Sequence, residues 1–308
     1  MSAEQNWEWN VAVFSHNEAA RIGQCIASIA AAIGTHRALV TVIVNGSTDD
    51  SATVAWQAAR AHGVPIAIWR IPHGDKANAI DQFLYKLRVP AQVYFFVDGY
   101  VKIGPRALEG MAASLAARPA AVAATGVAIN GRTMFRHTRE TLEVGGKLHG
   151  QLHALRPEFV DRMVGQGIAL PIGLYYGDGL MGSMAAHDLD ATGRQWDNDR
   201  VVGVAEATYE IPSLSIFVPR DLRRQFRRKI RQMRGRLENA AIKTVIYQRG
   251  FAALPTYSDD MIAAYLDQHG VPPTSLVDRP FMRLALRQHR AARRAEAANL
   301  TPQRMEFP

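Results

Sequence analysis

A single cysteine, Cys25, stands in 308 residues, so no internal disulfide can form and a reducing, cytoplasmic setting is expected. Cys25 lies among Ile22, Ile26 and Ile29, which suits packing rather than a nucleophile. No uncharged apolar run approaches the roughly 20 residues of a membrane-spanning helix. The longest, around Cys25 to Ile33, reads as an amphipathic helix. The opening MSAEQNWEWN has no cationic stretch followed by an apolar core, and no secretory signal is expected. A G-x-x-x-x-G-K-[ST] motif is missing, which excludes an ordinary P-loop. So is a G-x-G-x-x-G after the first apolar run, which argues against the usual dinucleotide fingerprint. The sequence has no internal repeat.

Net charge is also missing from most of the chain. Nine cations (Arg220, Arg223, Arg224, Arg227, Arg228, Lys229, Arg231, Arg234 and Arg236) against Asp221 account for the whole surplus of +8. That basicity is local and calls for a local explanation. Nucleic acid is a poor one, because Phe226 is the one aromatic interleaved with the cations. The segment reads as a helix over 221–246 with an apolar stripe of Leu222, Phe226, Ile230, Met233 and Leu237. Its outer cations are solvated or attract an anionic membrane surface, each adding about 1 kcal/mol there.

What remains is a soluble α/β pattern, with 48% hydrophobic and 21% charged residues. Apolar runs at 10–16, 41–44, 65–71 and 93–97 read as strands. Helical periodicity separates them: Ile22, Ile26, Ile29 and Ile33 in the first, then 52–62 and 77–87. Strand and helix alternating at this rhythm predict right-handed crossovers and a mostly parallel central sheet flanked by helices. Further on, helices are expected at 105–117, 259–268 and 280–298, and strands at 121–129, 201–205 and 208–211. The stretch 131–177 is irregular, with a strand over Gly150 to Arg156 returning beside the site. Residues 1–236 are expected as one domain and 237–308 as a C-terminal helical extension packed on it.

The organising stretch is Val93-Tyr94-Phe95-Phe96-Val97-Asp98-Gly99. Its buried run stops at Asp98, a carboxylate at a strand tip, where open α/β sheets bind ligands. Four loops converge at that edge: Ser15 to Glu18, Asn45 to Ser51, Gly74 to Lys76, and Asp98 to Tyr100. Their amides, hydroxyls, carboxylates and one lysine suit a nucleoside diphosphate with a divalent metal.

Several runs resemble, in order, the inverting family 2 glycosyltransferases of the GT-A fold. VAVFSHNEAARIGQCIASI is similar to their opening strand and turn, and VIVNGSTDDSATVA to their second strand and loop. GDKANAI resembles their Gly-Lys-x-x-Ala segment, and FFVDGYVKIGPRAL their metal-binding aspartate motif. GQLHALRPEFV resembles the strand bordering the acceptor, PIGLYYGDGLMGSM the stretch with the catalytic base, and FRRKIRQMRG the terminal arginine-rich helix. The resemblance covers Val11 to Arg236. It implies transfer of a sugar from a nucleotide-diphosphate donor, UDP favoured, to an acceptor hydroxyl with inversion. The acceptor is a glycan, a lipid-linked molecule or a small molecule.

By the same resemblance, Ser15, Asn17, Glu18 and Asn45 line the nucleotide, and Asp75 and Lys76 lie near ribose and phosphate. Asp98 carries Mn2+ or Mg2+ at the diphosphate, Arg231 and Arg234 approach that diphosphate, and Asp178 is the general base. The family usually has a second acid within two residues of Asp98; here Gly99, Tyr100 and Val101 follow, so either the metal is not used or a further ligand comes from elsewhere, with His187 a candidate. Two other readings stay open. One is a degenerate GT-A protein that binds a glycan or partner. The other is a sugar-phosphate nucleotidyltransferase, though Ser15-His16-Asn17-Glu18 lacks the Gly-rich signature with Arg and Lys that it needs. The expected location is cytoplasmic, with peripheral contact at the inner membrane face.

Overall fold

Valine- and isoleucine-rich runs become the centre of a nine-stranded sheet with order β5-β8-β6-β7-β4-β1-β2-β3-β9. The computed structural model describes residues 7–212, 219–291 and 294–308. The first half alternates as expected: β1 (Trp7–Ser15), α1 (Ile22–Ile33), β2 (Ala38–Asn45), α2 (Ser51–Ala61), β3 (Ile66–Ile71), α3 (Lys76–Gln82) and β4 (Ala91–Asp98). The last turn after α3 widens into a π-helical turn over Phe83–Leu87. A two-residue strand β5 (Lys102–Ile103) precedes α4 (Ala107–Ala117) and β6 (Ala123–Ala128).

The stretch read as irregular holds regular structure: α5 (Arg132–Val144), β7 (Leu152–Leu155) and α6 (Pro157–Gly165). Then come α7 (Gly177–Ala186) and β8 (Val201–Glu210), one strand where two were expected. The basic segment is α8 (Pro219–Arg249), followed by α9 (Ser258–His269), α10 (Arg279–Ala291), α11 (Ala297–Leu300) and β9 (Gln303–Met305). Residue 236, the expected domain boundary, falls inside the unbroken α8. Residues 303–305 return to the sheet as a strand against β3, so the C-terminal extension is not wholly helical.

Direction within the sheet decides where the chemistry sits. β3, β2, β1 and β4 are mutually parallel, and β6 is parallel to β8. β7 runs antiparallel to both β4 and β6, and β5 and β9 are antiparallel edges. The sheet is therefore mixed, with a parallel core. The carboxyl ends of β1 to β4 and the amino end of β7 fall on one edge. Leu152 pairs with Val97, which sets Gln151 beside Asp98, and the Asp98 amide donates to the Gln151 carbonyl over 3.1 Å.

Strand alternation sends Val11 and Val13 into a core shared with α1, α2 and α4. It sends Ala12 and Phe14 into a second core under α3, α6, α7 and α8. Asn10 is buried between strands without penalty. Its amide donates to Leu39 O and Thr41 Oγ1, both at 3.0 Å, while its carbonyl accepts from the Val89 amide. A third cluster joins Ile230, Met233 and Leu237 of α8 to Met282 and Ala285 of α10. Phe226, placed on the same stripe by its spacing, is half-exposed against Phe281. The Leu222 side chain lies outside the described residues, as do residues 1–6. Among the described residues no helix is long and apolar enough to cross a membrane.

Candidate functional site

The four strand-tip loops do meet. Gly46, at the end of β2, has φ 61, and a Cβ there would lie 2.4 Å from the Cα of Gly74. Only glycine allows that backbone approach between the loops after β2 and β3. The loop after β1 is tied to the loop after β2: the amides of Asn17, Glu18 and Ala19 donate to Ser47, Ser51 and Asp49. Asn17 itself holds φ 55 and accepts from the Thr48 amide at 2.9 Å. Gly99 closes the group, its amide donating to Phe14 O over 2.8 Å.

At this edge Lys76, first residue of α3, donates through Nζ to Asp98 Oδ1 and, over 3.1 Å, to the Gly150 carbonyl. Asp178 lies in the first turn of α7, beside the same glycine. A Cβ built on Gly150 would stand 3.1 Å from Asp178 Cβ and 3.2 Å from its Oδ2. The Gly179 amide donates to Asp178 Oδ1 over 2.9 Å, and the Gly150 backbone lies against the same carboxyl. Burial raises the Asp178 pKa and the nearby Asp98 adds to the rise, against Lys76 and the Gly179 and Gly150 backbone. Burial, then the nearby Asp98, pushes the Tyr100 phenol well up. Below Lys76, His153 stacks on Phe96 with ring centroids 4.7 Å apart. Burial, with the Lys76 charge second, pushes its imidazole down to about 3, so this floor is neutral.

Asp98, Lys76 and Asp178 therefore gather around Gly150, just before β7, the strand expected to return beside the site. Other expected site residues frame the cleft rather than line it. Ser15 is buried, its hydroxyl has no hydrogen-bond partner, and its carbonyl accepts from the Asn45 amide at 3.1 Å. Asn45, expected to line the nucleotide, gives one amide N–H to that bond. Glu18 is partly buried and pairs with Arg21 over 2.9 Å. Asp75 caps α3: one oxygen accepts from the Asn78 amide at 3.0 Å, the other from the Gly173 amide.

Arg234, expected at the diphosphate, is buried instead between Glu238 and Asp259 at 3.0 and 2.9 Å. Two carboxylates consume its charge. Arg231 is exposed on α8. Glu238 escaped the sequence reading, although an acid one turn after Arg234 in so basic a helix was the signal.

The loop before α7 is anchored by Asp81, whose carboxylate accepts from the Leu170 amide at 2.9 Å. Burial, reinforced by Asp75, pushes Asp81 up to about 8. A carboxyl raised in the folded state binds an extra proton there between the unfolded value near 4 and about 8, so stability falls as pH rises through that window. The melting temperature is expected to decline from pH 5 to 8, and Asp81→Asn to flatten that decline; an unchanged slope in the variant counts against it.

A divalent cation does not fit this donor set. One carboxylate and a diphosphate can hold Mg2+, but the Asp98 carboxylate already carries the Lys76 ammonium. His187 ends α7, nine residues beyond Asp178 and about 13 Å away along the axis. There its Nδ1 meets Arg194 O at 2.7 Å, so it is no ligand beside Asp98. Among the described residues no group of three acidic, histidine or cysteine side chains is arranged for a metal. A surface hollow between α4 and β8, lined by Arg106 and Glu206 among others, contains none of the expected site residues.

Solved structures share this architecture. The mannosyltransferase PcManGT from Pyrobaculum calidifontis, in complex with GDP-Man and Mn2+, aligns with TM-score 0.60 and 18% identity, covering 96% of this chain and 78% of its own. TarS residues 1–349 from S. aureus, in complex with UDP-GlcNAc, aligns with TM-score 0.53 and 15% identity, covering 92% and 80%. At such identity the likeness speaks to the fold alone, which is GT-A. No curated protein sequence matches significantly. Residues 10–171, more than half of the chain, match the model of Glycosyl transferase family 2, and the chain belongs to that family.

Proposed function

We propose that the protein is an inverting glycosyltransferase, of the hexosyl-transferring kind, that uses a nucleotide-diphosphate sugar. The single observation that supports this reading is the convergence of Lys76, Asp98 and Asp178 around Gly150 at the carboxyl edge of the parallel strands. Membership of the family and the nucleotide sugars named for PcManGT and TarS lend it further weight.

The Asp178 carboxylate takes the proton from the acceptor hydroxyl. The acceptor oxygen bonds to the anomeric carbon from the face opposite the diphosphate. The bond from that carbon to the diphosphate oxygen breaks, and its electron pair leaves with the nucleoside diphosphate. A base with a raised pKa suits the task, because it removes a proton more readily than an ordinary carboxylate once ionised. Asn17 and Glu18 line the nucleotide side; Ser15, Asn45 and Asp75 hold the loops that shape it. Asp98 orients the lysine and faces the sugar-diphosphate linkage. Arg231 remains available to the donor or, with Arg223 and Arg227 on the same exposed row, to an acceptor held at an anionic surface.

Thermal shift with UDP-, GDP- and dTDP-sugars, followed by donor hydrolysis without acceptor, tests the reading. One donor class is expected to raise the melting temperature and to be hydrolysed slowly; no shift and no hydrolysis with any of them overturns it.

A further inference from the structure

We propose that Lys76 supplies the cation of the donor site, standing on Asp98 where a divalent ion would otherwise bridge the diphosphate. This rests on the donor reading above and departs from the metal that the sequence motif implies.

Three observations carry it. First, the tip of β4 offers a single carboxylate. Gly99 follows it with its amide on Phe14 O, and Tyr100 stands next rather than a second acid. Second, the Lys76 ammonium has three N–H donors. Asp98 Oδ1 takes one and the Gly150 carbonyl another, which leaves one for a phosphate oxygen. The side chain is 41% exposed, so the lysine is not sealed in the interior. Third, the ammonium is held in place before any ligand arrives. The loop that carries it is pinned by Gly46 against Gly74, by the Asp75 cap on α3, and by the C-terminal segment. From that segment Asn299 O accepts from the His73 amide and Leu300 O accepts from the Asn78 side chain, at 2.9 and 3.1 Å. A fixed charge beside the place where a leaving group becomes anionic is the arrangement that electrostatic stabilisation needs. A divalent ion would first have to evict this ammonium from the one carboxylate present.

The test is calorimetric titration of the full chain with UDP and with GDP, in EDTA and in Mn2+, alongside Mn2+ electron paramagnetic resonance. For whichever diphosphate binds, affinity is expected to agree within about threefold between the two conditions, with no Mn2+ immobilised. Lys76→Met is expected to weaken binding at least about tenfold, the scale of a hydrogen bond to a charged group, while Lys76→Arg retains most of it. Circular dichroism and melting of each variant establish that it is folded. Binding that appears in Mn2+ and vanishes in EDTA overturns the lysine assignment and leaves the glycosyltransferase reading standing, as does a folded Lys76→Met with unchanged affinity. No binding of UDP or GDP, nor of dTDP titrated in the same way, in any condition sinks both.

Discussion

Asp178→Asn is expected to lower sugar transfer by about 10²- to 10⁴-fold, the range of a positioned general base, with donor affinity unchanged. The amide keeps the shape of the carboxyl and one acceptor for the Gly179 N–H, so the cleft stays as it is. What disappears is the ability to take a proton. The same substitution is expected to raise the melting temperature at neutral pH. Burial and Asp98 together disfavour the charged carboxylate more than Lys76 and the Gly179 and Gly150 backbone favour it, because the net shift is upward. The folded chain therefore carries a penalty above the ordinary carboxylate pKa that a neutral asparagine does not. In the unaltered enzyme the rate should fall as pH drops through the raised pKa, at higher pH than an exposed aspartate would give. Stopped-time assays across pH, paired with melting curves of both proteins, check the two effects together. Near-normal turnover in the variant removes Asp178 from the mechanism.

Much of this site was legible because a parallel sheet obliges its carboxyl ends to share an edge. Once 10–16, 41–44, 65–71 and 93–97 are strands, the loops at 15–18, 45–51, 74–76 and 98–100 have nowhere else to go. The inward turn of Ser15 was legible too. It lies two residues beyond Val13 and four beyond Val11, on the face that packs against α1, so alternation assigns it to the interior. The resemblance to a nucleotide-binding serine spoke for the cleft, and the alternation won.

What was not legible depends on partners distant in sequence. Gly150 comes to Lys76 because β7 runs antiparallel to β4, a direction set by the geometry of 131–150 and not by any periodicity in it. β9 is three residues of a polar tail whose pairing with β3 no propensity would suggest. Charge counting could not separate Arg231 from Arg234. They are three residues apart in one basic helix, yet one is exposed and the other is buried by an aspartate on α9.

That buried arginine carries the other large effect, which Glu238→Ala is expected to reveal. Glu238 is fully buried. Its Oε1 accepts from Arg234 Nε at 3.0 Å, and its Oε2 accepts from the amides of Tyr175 and Tyr176 at 3.0 and 2.8 Å. Arg234 in turn donates to the Gly173 carbonyl at 3.0 Å and stacks over Tyr175 with 4.9 Å to the ring centroid. The Gly173 amide reaches back to Asp75, the cap of the helix that begins with Lys76. One short segment, 173–176, thus ties the lysine side of the cleft to the aspartate side, and Glu238 with Arg234 clamps it. Removing one partner of a buried pair costs about 3–5 kcal/mol, toward the lower end here because Asp259 still faces Arg234. A loss of that size should lower the melting temperature by about 5 °C or more in a chain of this length. Turnover should fall further than the unfolded fraction accounts for, because two backbone amides lose their acceptor just before the turn that presents Asp178. Glu238→Gln, which keeps an oxygen for those amides without the charge, is expected to recover part of the turnover while remaining destabilised. An alanine variant that melts within a degree of the parent and transfers sugar at full rate would show that α7 is held by its apolar contacts, and that the clamp is incidental to the position of the base.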